Sequence, residues 1–151
     1  SAFESRTRDL LHQAYGLAVG QPKVQSALLR WMFVVLEVGH AIIELRKEQA
    51  ILPVHPCYAE SQPWRQAIRV MGRALARLFL QPTASNHERA LVAVDHAISR
   101  VQATDEPFAR HFDTSALRRV QSYLHFIRTS LLDPQSPLAH LPPAQGLPDA
   151  P

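Results

Sequence analysis

Glu37 and His40 stand three residues apart in LEVGHAIIELR (36–46). A Glu-x-x-His pair puts a carboxylate and an imidazole on one face of a helix, the arrangement that holds metal in ferritin-like di-iron bundles. Such a site needs a second Glu-x-x-His and further carboxylates. Asp95-His96 has the wrong spacing, and nothing else in the chain supplies the pair. A metal site on Glu37, His40 and Glu44 is the weakest reading of this stretch. The stronger one has His40 bonded to Glu37 or Glu44 within a polar stripe. No metal or other cofactor is expected.

A second pattern is a row of arginines. Arg65, Arg69, Arg73 and Arg77 are each four apart, so they form one stripe about 18 Å long on a helix. Like charges at this spacing repel by a few tenths of a kcal/mol per pair, so a run of four invites anionic partners. Two readings stay open. The stripe is solvated or pairs with Glu37 and Glu44. Alternatively it is a face for an anion, anionic lipid headgroups or a protein partner. Nucleic acid is not expected, because no aromatic residues interleave with the arginines. The formal charge of +3 also gives no bulk electrostatic grip, even though fourteen of the sixteen basic residues are Arg.

Catalytic signals are poor. Cys57 has His55 two residues away, but no third group to orient the pair and no oxyanion hole. It is the single cysteine, which excludes an intramolecular disulfide and the usual zinc spacings. There is no Gly-rich phosphate loop and no nucleophile elbow. The eight histidines are scattered. No catalytic residue is assigned, and an enzyme is not expected.

These residues need elements to position them. Glycine is scarce and the apolar spacing is helical, so the fold class is all-α, a bundle of about five helices. At 151 residues the chain has the size of one domain and can bury a sizeable core. Helix one is expected from about Glu4 to Val19, stopped by Gly20 and Pro22. Helix two follows from Pro22 to about Ala50, and Pro53 and Pro56 end it. Helix three begins after Ser61, a candidate N-cap, and ends near Gln81. Helix four opens on a capping box of Ser85 and Glu88 and runs to about Ala103. Helix five runs from about Asp113 or Thr114 to Leu132. Residues 1–133 are therefore the bundle. Residues 134–151 are a proline-rich tail, read as non-helical and either extended over the surface or mobile.

Helix two is the element to understand. Arg30, Glu37 and Glu44 are seven apart and line up along it, with His40 on the same side. Almost everything else from Leu28 to Leu45 is apolar. The pattern predicts a central helix buried over most of its circumference, with one polar seam of Arg30, Glu37, His40 and Glu44. A membrane span is disfavoured, since two carboxylates inside a lipid-exposed helix cost several kcal/mol. Trp31 and Trp64 are read as core or interface residues. A faint internal echo links Val38-Gly39-His40-Ala41-Ile42 to Val94-Asp95-His96-Ala97-Ile98. If real, it puts helices two and four in similar places in two hairpins.

Two stretches carry a family likeness. LEVGHAIIELR (36–46) and LRRVQSYLHFIRTSLLDP (117–134) resemble the cytoplasmic helical part of the fusaric acid resistance (FUSC-like) family. The resemblance implies a bacterial inner-membrane protein of the aromatic acid exporter type, in which membrane helices alternate with soluble helical regions. It implies a non-catalytic cytoplasmic domain serving assembly or regulation. Its implied partners are the membrane part of the same protein and a second copy of the chain. It carries no site residue over to this sequence. The start SAFESRTRDLL is polar and opens a helix, so it is not a secretory leader. Ser1-Ala2 suggests a piece cut from a longer chain. The alternative is a stand-alone helical ligand-sensing or adaptor domain, which needs an apolar pocket with a few convergent polar groups.

Overall fold

The computed structural model describes residues 2–51, 61–109 and 115–143. Among them the chain forms five α-helices and no strand: α1 (Ala2–Leu17), α2 (Pro22–Ile51), α3 (Ser61–Leu80), α4 (Ala84–Ala109) and α5 (Ser115–Leu132). A short 3-10 turn follows at Pro137–His140. The protein is an all-α bundle.

Local sequence sets the helix ends. Gly20 sits at φ +87°, a left-handed conformation that costs a side-chain-bearing residue but not glycine, and it turns the chain out of α1. Pro22 then opens α2, at a position where its missing N–H costs nothing. The start of α4 corrects the expected capping box. Thr83, not Ser85, is the cap: its hydroxyl accepts from the Asn86 N–H at 3.2 Å. The helix begins at Ala84, which places Ser85 inside the first turn. At its other end α4 runs six residues past Ala103. The linker with His55 and Cys57 lies outside the described residues.

The packing order in space differs from chain order. α1 packs on α2, α2 on α5, α5 on α4, and α4 on α3, while α2 and α3 barely touch. The central helix is therefore α5. Its buried row, Leu117, Val120, Leu124, Ile127 and Leu131, repeats at three and four residues and is fully covered. Small residues on α4, Ala90, Ala93 and Ala97, let α3 approach closely with Met71, Leu75 and Leu78. Trp64 is fully buried, and Trp31 packs against the core half-covered.

This order corrects the reading of α2. It lies between α1 and α5 and is not the central helix. Only 22% of its most apolar window is buried, and by length and composition alone that window could cross a membrane. Its buried row is Val34, Val38, Ala41, Leu45 and Glu48. The apolar residues on its other sides face α1, which covers them only in part. The internal echo, by contrast, has a structural counterpart. α2 and α4 each close a hairpin with the helix before them, and each then packs on α5. Val38 and Ala41 are buried as Val94 and Ala97 are, and His40 and His96 are both exposed.

Over residues 134–143 the tail reading is also corrected. Pro is excluded from helix interiors but suits a first turn, and Pro137 starts the 3-10 turn there. The Ser136 hydroxyl accepts from the Leu138 N–H at 3.1 Å, and Leu138 is 2% exposed. The Pro142 carbonyl accepts from the Ala84 N–H at 2.8 Å, satisfying one orphan donor of α4. The Asn86 amide donates to the Gln81 carbonyl at 2.8 Å, and a ring nitrogen of His87 meets the Leu131 carbonyl at 2.7 Å. The α3–α4 corner, the end of α5 and the start of the tail are thus bonded into one unit.

Candidate functional site

The helices deliver the arginine row to the surface. On α3, Ile68, Met71, Leu75 and Leu78 face the core. Arg69, Arg73 and Arg77 project the other way and are exposed. They enter none of the ion pairs among the described residues, so the expected pairing with Glu37 and Glu44 does not form. α3 and α2 meet too little for it, and Glu44 instead accepts from Lys47 one turn along at 3.0 Å.

Arg65 differs from the other three. Its Nη1 donates to the Gln49 carbonyl at 2.9 Å, and its guanidinium lies 5.1 Å from the centre of the Trp64 ring. A cation over an aromatic face that also holds a carbonyl at a helix C-terminus is a structural clamp between α3 and α2. Burial, and secondly the charge of Arg69, pull its pKa below the usual arginine value.

A cleft of about 270 Å³ runs between α2 and α3. Arg46, Arg69 and Arg73 line it together with Ile42, Ile68 and Met71, and among the described residues no carboxylate does. Arg46 was missed in the sequence because it sits on α2, and only the fold brings it to the α3 row. The cleft shares Ile42, Arg46, Gly72 and Ala76 with a larger apolar groove of about 630 Å³. That groove lies between α1, α2 and α3, with Leu11, Gly39, Ile43 and Phe79 among its walls. Three guanidiniums at the edge of an apolar groove can hold an anion whose remainder is hydrophobic.

The seam on α2 is a separate feature. Arg30, Glu37 and His40 are exposed, and Glu44 is half-buried. Among the described residues no cluster of three or more His, Cys, Asp or Glu side chains could hold a metal ion. The carboxylate that carries structural weight is Glu48, one turn beyond Glu44. It accepts from Arg119 of α5 through both oxygens, at 2.7 and 3.1 Å. Asp95 of α4 similarly accepts from Arg128 of α5 at 2.8 Å, at the surface.

The fold and these surfaces define a helical-bundle module with no assembled catalytic centre among its described residues. The chain belongs to the fusaric acid resistance protein family, matching it over residues 1–138. It is 47% identical over 140 residues to the fusaric acid resistance protein FusD of Burkholderia cepacia, covering 92% of this chain and 67% of that protein. No solved structure matches the chain. It is therefore a protein related to fusaric acid resistance transporters, in a family of inner-membrane transport proteins rather than enzymes.

Proposed function

We propose that this chain is a cytoplasmic, non-catalytic part of a fusaric-acid-type efflux transporter of the bacterial inner membrane, serving its assembly or regulation. The observation that carries the reading is the membership of the family together with a bundle that turns Arg46, Arg69 and Arg73 outward. Arg46, Arg69 and Arg73 present a basic edge that no carboxylate neutralises among the described residues. Such an edge suits the anionic cytoplasmic leaflet or an acidic surface on the membrane part of the same protein. The full-length gene, expressed in cells lacking it, tests this. Arg46→Ala with Arg69→Ala and Arg73→Ala should lower resistance to fusaric acid without lowering protein abundance. Arg77→Cys in a Cys57→Ser background should resist an impermeant thiol reagent in intact cells and react after lysis. Full resistance of the triple variant, or labelling in intact cells, refutes the reading.

A second reading has one specific observation behind it. The groove of about 630 Å³ joined to the arginine cleft is what a ligand-sensing bundle needs. It would take a small amphiphilic carboxylate, with the arginines on the carboxylate and the apolar part in the groove. Calorimetry with fusaric acid on the purified chain separates the two: saturable binding lost in the triple arginine variant favours sensing.

A further inference from the structure

The outward stripe of α2 is antisymmetric in charge. Lys23, Arg30, Glu37 and Glu44 follow each other at seven-residue intervals, two basic and then two acidic. The first three are exposed, and so is Phe33, which stands at the middle of the row and is 60% exposed. Phe126 and Leu132 of α5 line a surface groove of about 630 Å³ together with Arg30, Phe33 and Glu37, and both are also exposed. A contiguous patch of this kind, apolar at the centre and rimmed by charge, marks an interface.

We infer that this stripe is a two-fold self-association surface, on which α2 of one copy packs antiparallel against α2 of a second. A two-fold axis crossing the helix between Phe33 and Val34 sets Arg30 opposite the second copy's Glu37. It sets Lys23 opposite the second copy's Glu44. Every charge on the stripe then meets its opposite, and each contact occurs twice, as an isologous interface requires. Parallel packing would place like charge on like charge, so the sequence of signs fixes the direction. The stripe spans about 30 Å at 1.5 Å per residue, a length ample for a stable helix pair. Phe33 lies near the axis and can enter the groove beside the second copy's Phe126, where an aromatic anchor contributes most. Glu44 already holds Lys47, so the inner pair of Arg30 and Glu37 dominates the discrimination. The inference is independent of the transport reading.

Sedimentation equilibrium of the full chain tests it. The wild type should dimerise with concentration. Arg30→Glu and Glu37→Arg should each weaken the dimer by about 100-fold, because each puts two repulsive pairs in one interface. Mixed together, these two variants should form a one-to-one heterodimer. Combined in one chain, the two reversals should restore the homodimer. Phe33→Asp should abolish association while leaving the thermal melt in place. A wild type that stays monomeric at all concentrations overturns the proposal, as do single reversals that dimerise like the wild type. So does a monomer that floats with phosphatidylglycerol vesicles and loses that binding on Phe33→Asp, which would assign the face to lipid.

Discussion

Glu48 and Arg119 hold each other through two parallel hydrogen bonds, and they tie the end of α2 to the start of α5. Glu48 is 8% exposed, so its charge depends on this partner. Arg119→Ala should destabilise the fold by about 1–2 kcal/mol, a figure already reduced for the half-exposed arginine. Lys47→Ala, which removes only an exposed one-turn pair, should cost less than about 0.5 kcal/mol. Urea denaturation of both variants measures the difference, and equal midpoints would deny Glu48 its role.

The arginine row should split in two by stability. Arg65→Ala removes the bond to the Gln49 carbonyl and the packing on Trp64, for an expected loss of about 1–2 kcal/mol. Arg69→Ala combined with Arg73→Ala should leave the melting temperature within a degree or two, since both are exposed and unpaired among the described residues. Thermal melts followed by circular dichroism separate the cases.

Leu138→Ala should cost about 2–3 kcal/mol, as for a leucine removed from a packed core. Its signature is local. Hydrogen exchange at the Ala84 amide should speed up, because that amide bonds to the Pro142 carbonyl and loses its partner when the tail lifts. Protection at Ala84 that survives Leu138→Ala would mean the two contacts are not coupled.

Gly39 is buried on α2 and lines the groove facing α1 and α3. Gly39→Leu should overpack this junction and destabilise by about 1–3 kcal/mol. Chemical denaturation reads it, and an unchanged midpoint would show that the groove absorbs the added side chain.

The legible parts of this fold were those whose signal is local. Proline and glycine punctuate the helices, and the row from Leu117 to Leu131 announces a buried face by its spacing alone. The sequence misled where burial depends on partners. α2 is more apolar than α5, yet α5 is the one that joins the two hairpins with a fully covered row, because hydrophobicity reports what a helix could bury and not what arrives to cover it. The exposed arginines on α3 could be read from periodicity. Arg46 could not, because its place beside Arg69 is a tertiary fact. Glu48 stands one turn beyond Glu44, and sequence position alone does not separate it from the exposed seam. Helical drift carries it toward α5 instead, where Arg119 meets it. The tail was misjudged because its prolines forbid an α-helix but not a single 3-10 turn anchored by one leucine.

The helix that fills the middle of the bundle is also the last of the five to be made. While the chain emerges from the ribosome, the α1–α2 and α3–α4 hairpins each complete their own pairing, yet both present a bare inner face. Neither face can be covered until Leu131 has cleared the exit tunnel. The keystone therefore follows both hairpins in order of synthesis, and a message truncated before residue 117 would yield two unclosed hairpins prone to clump.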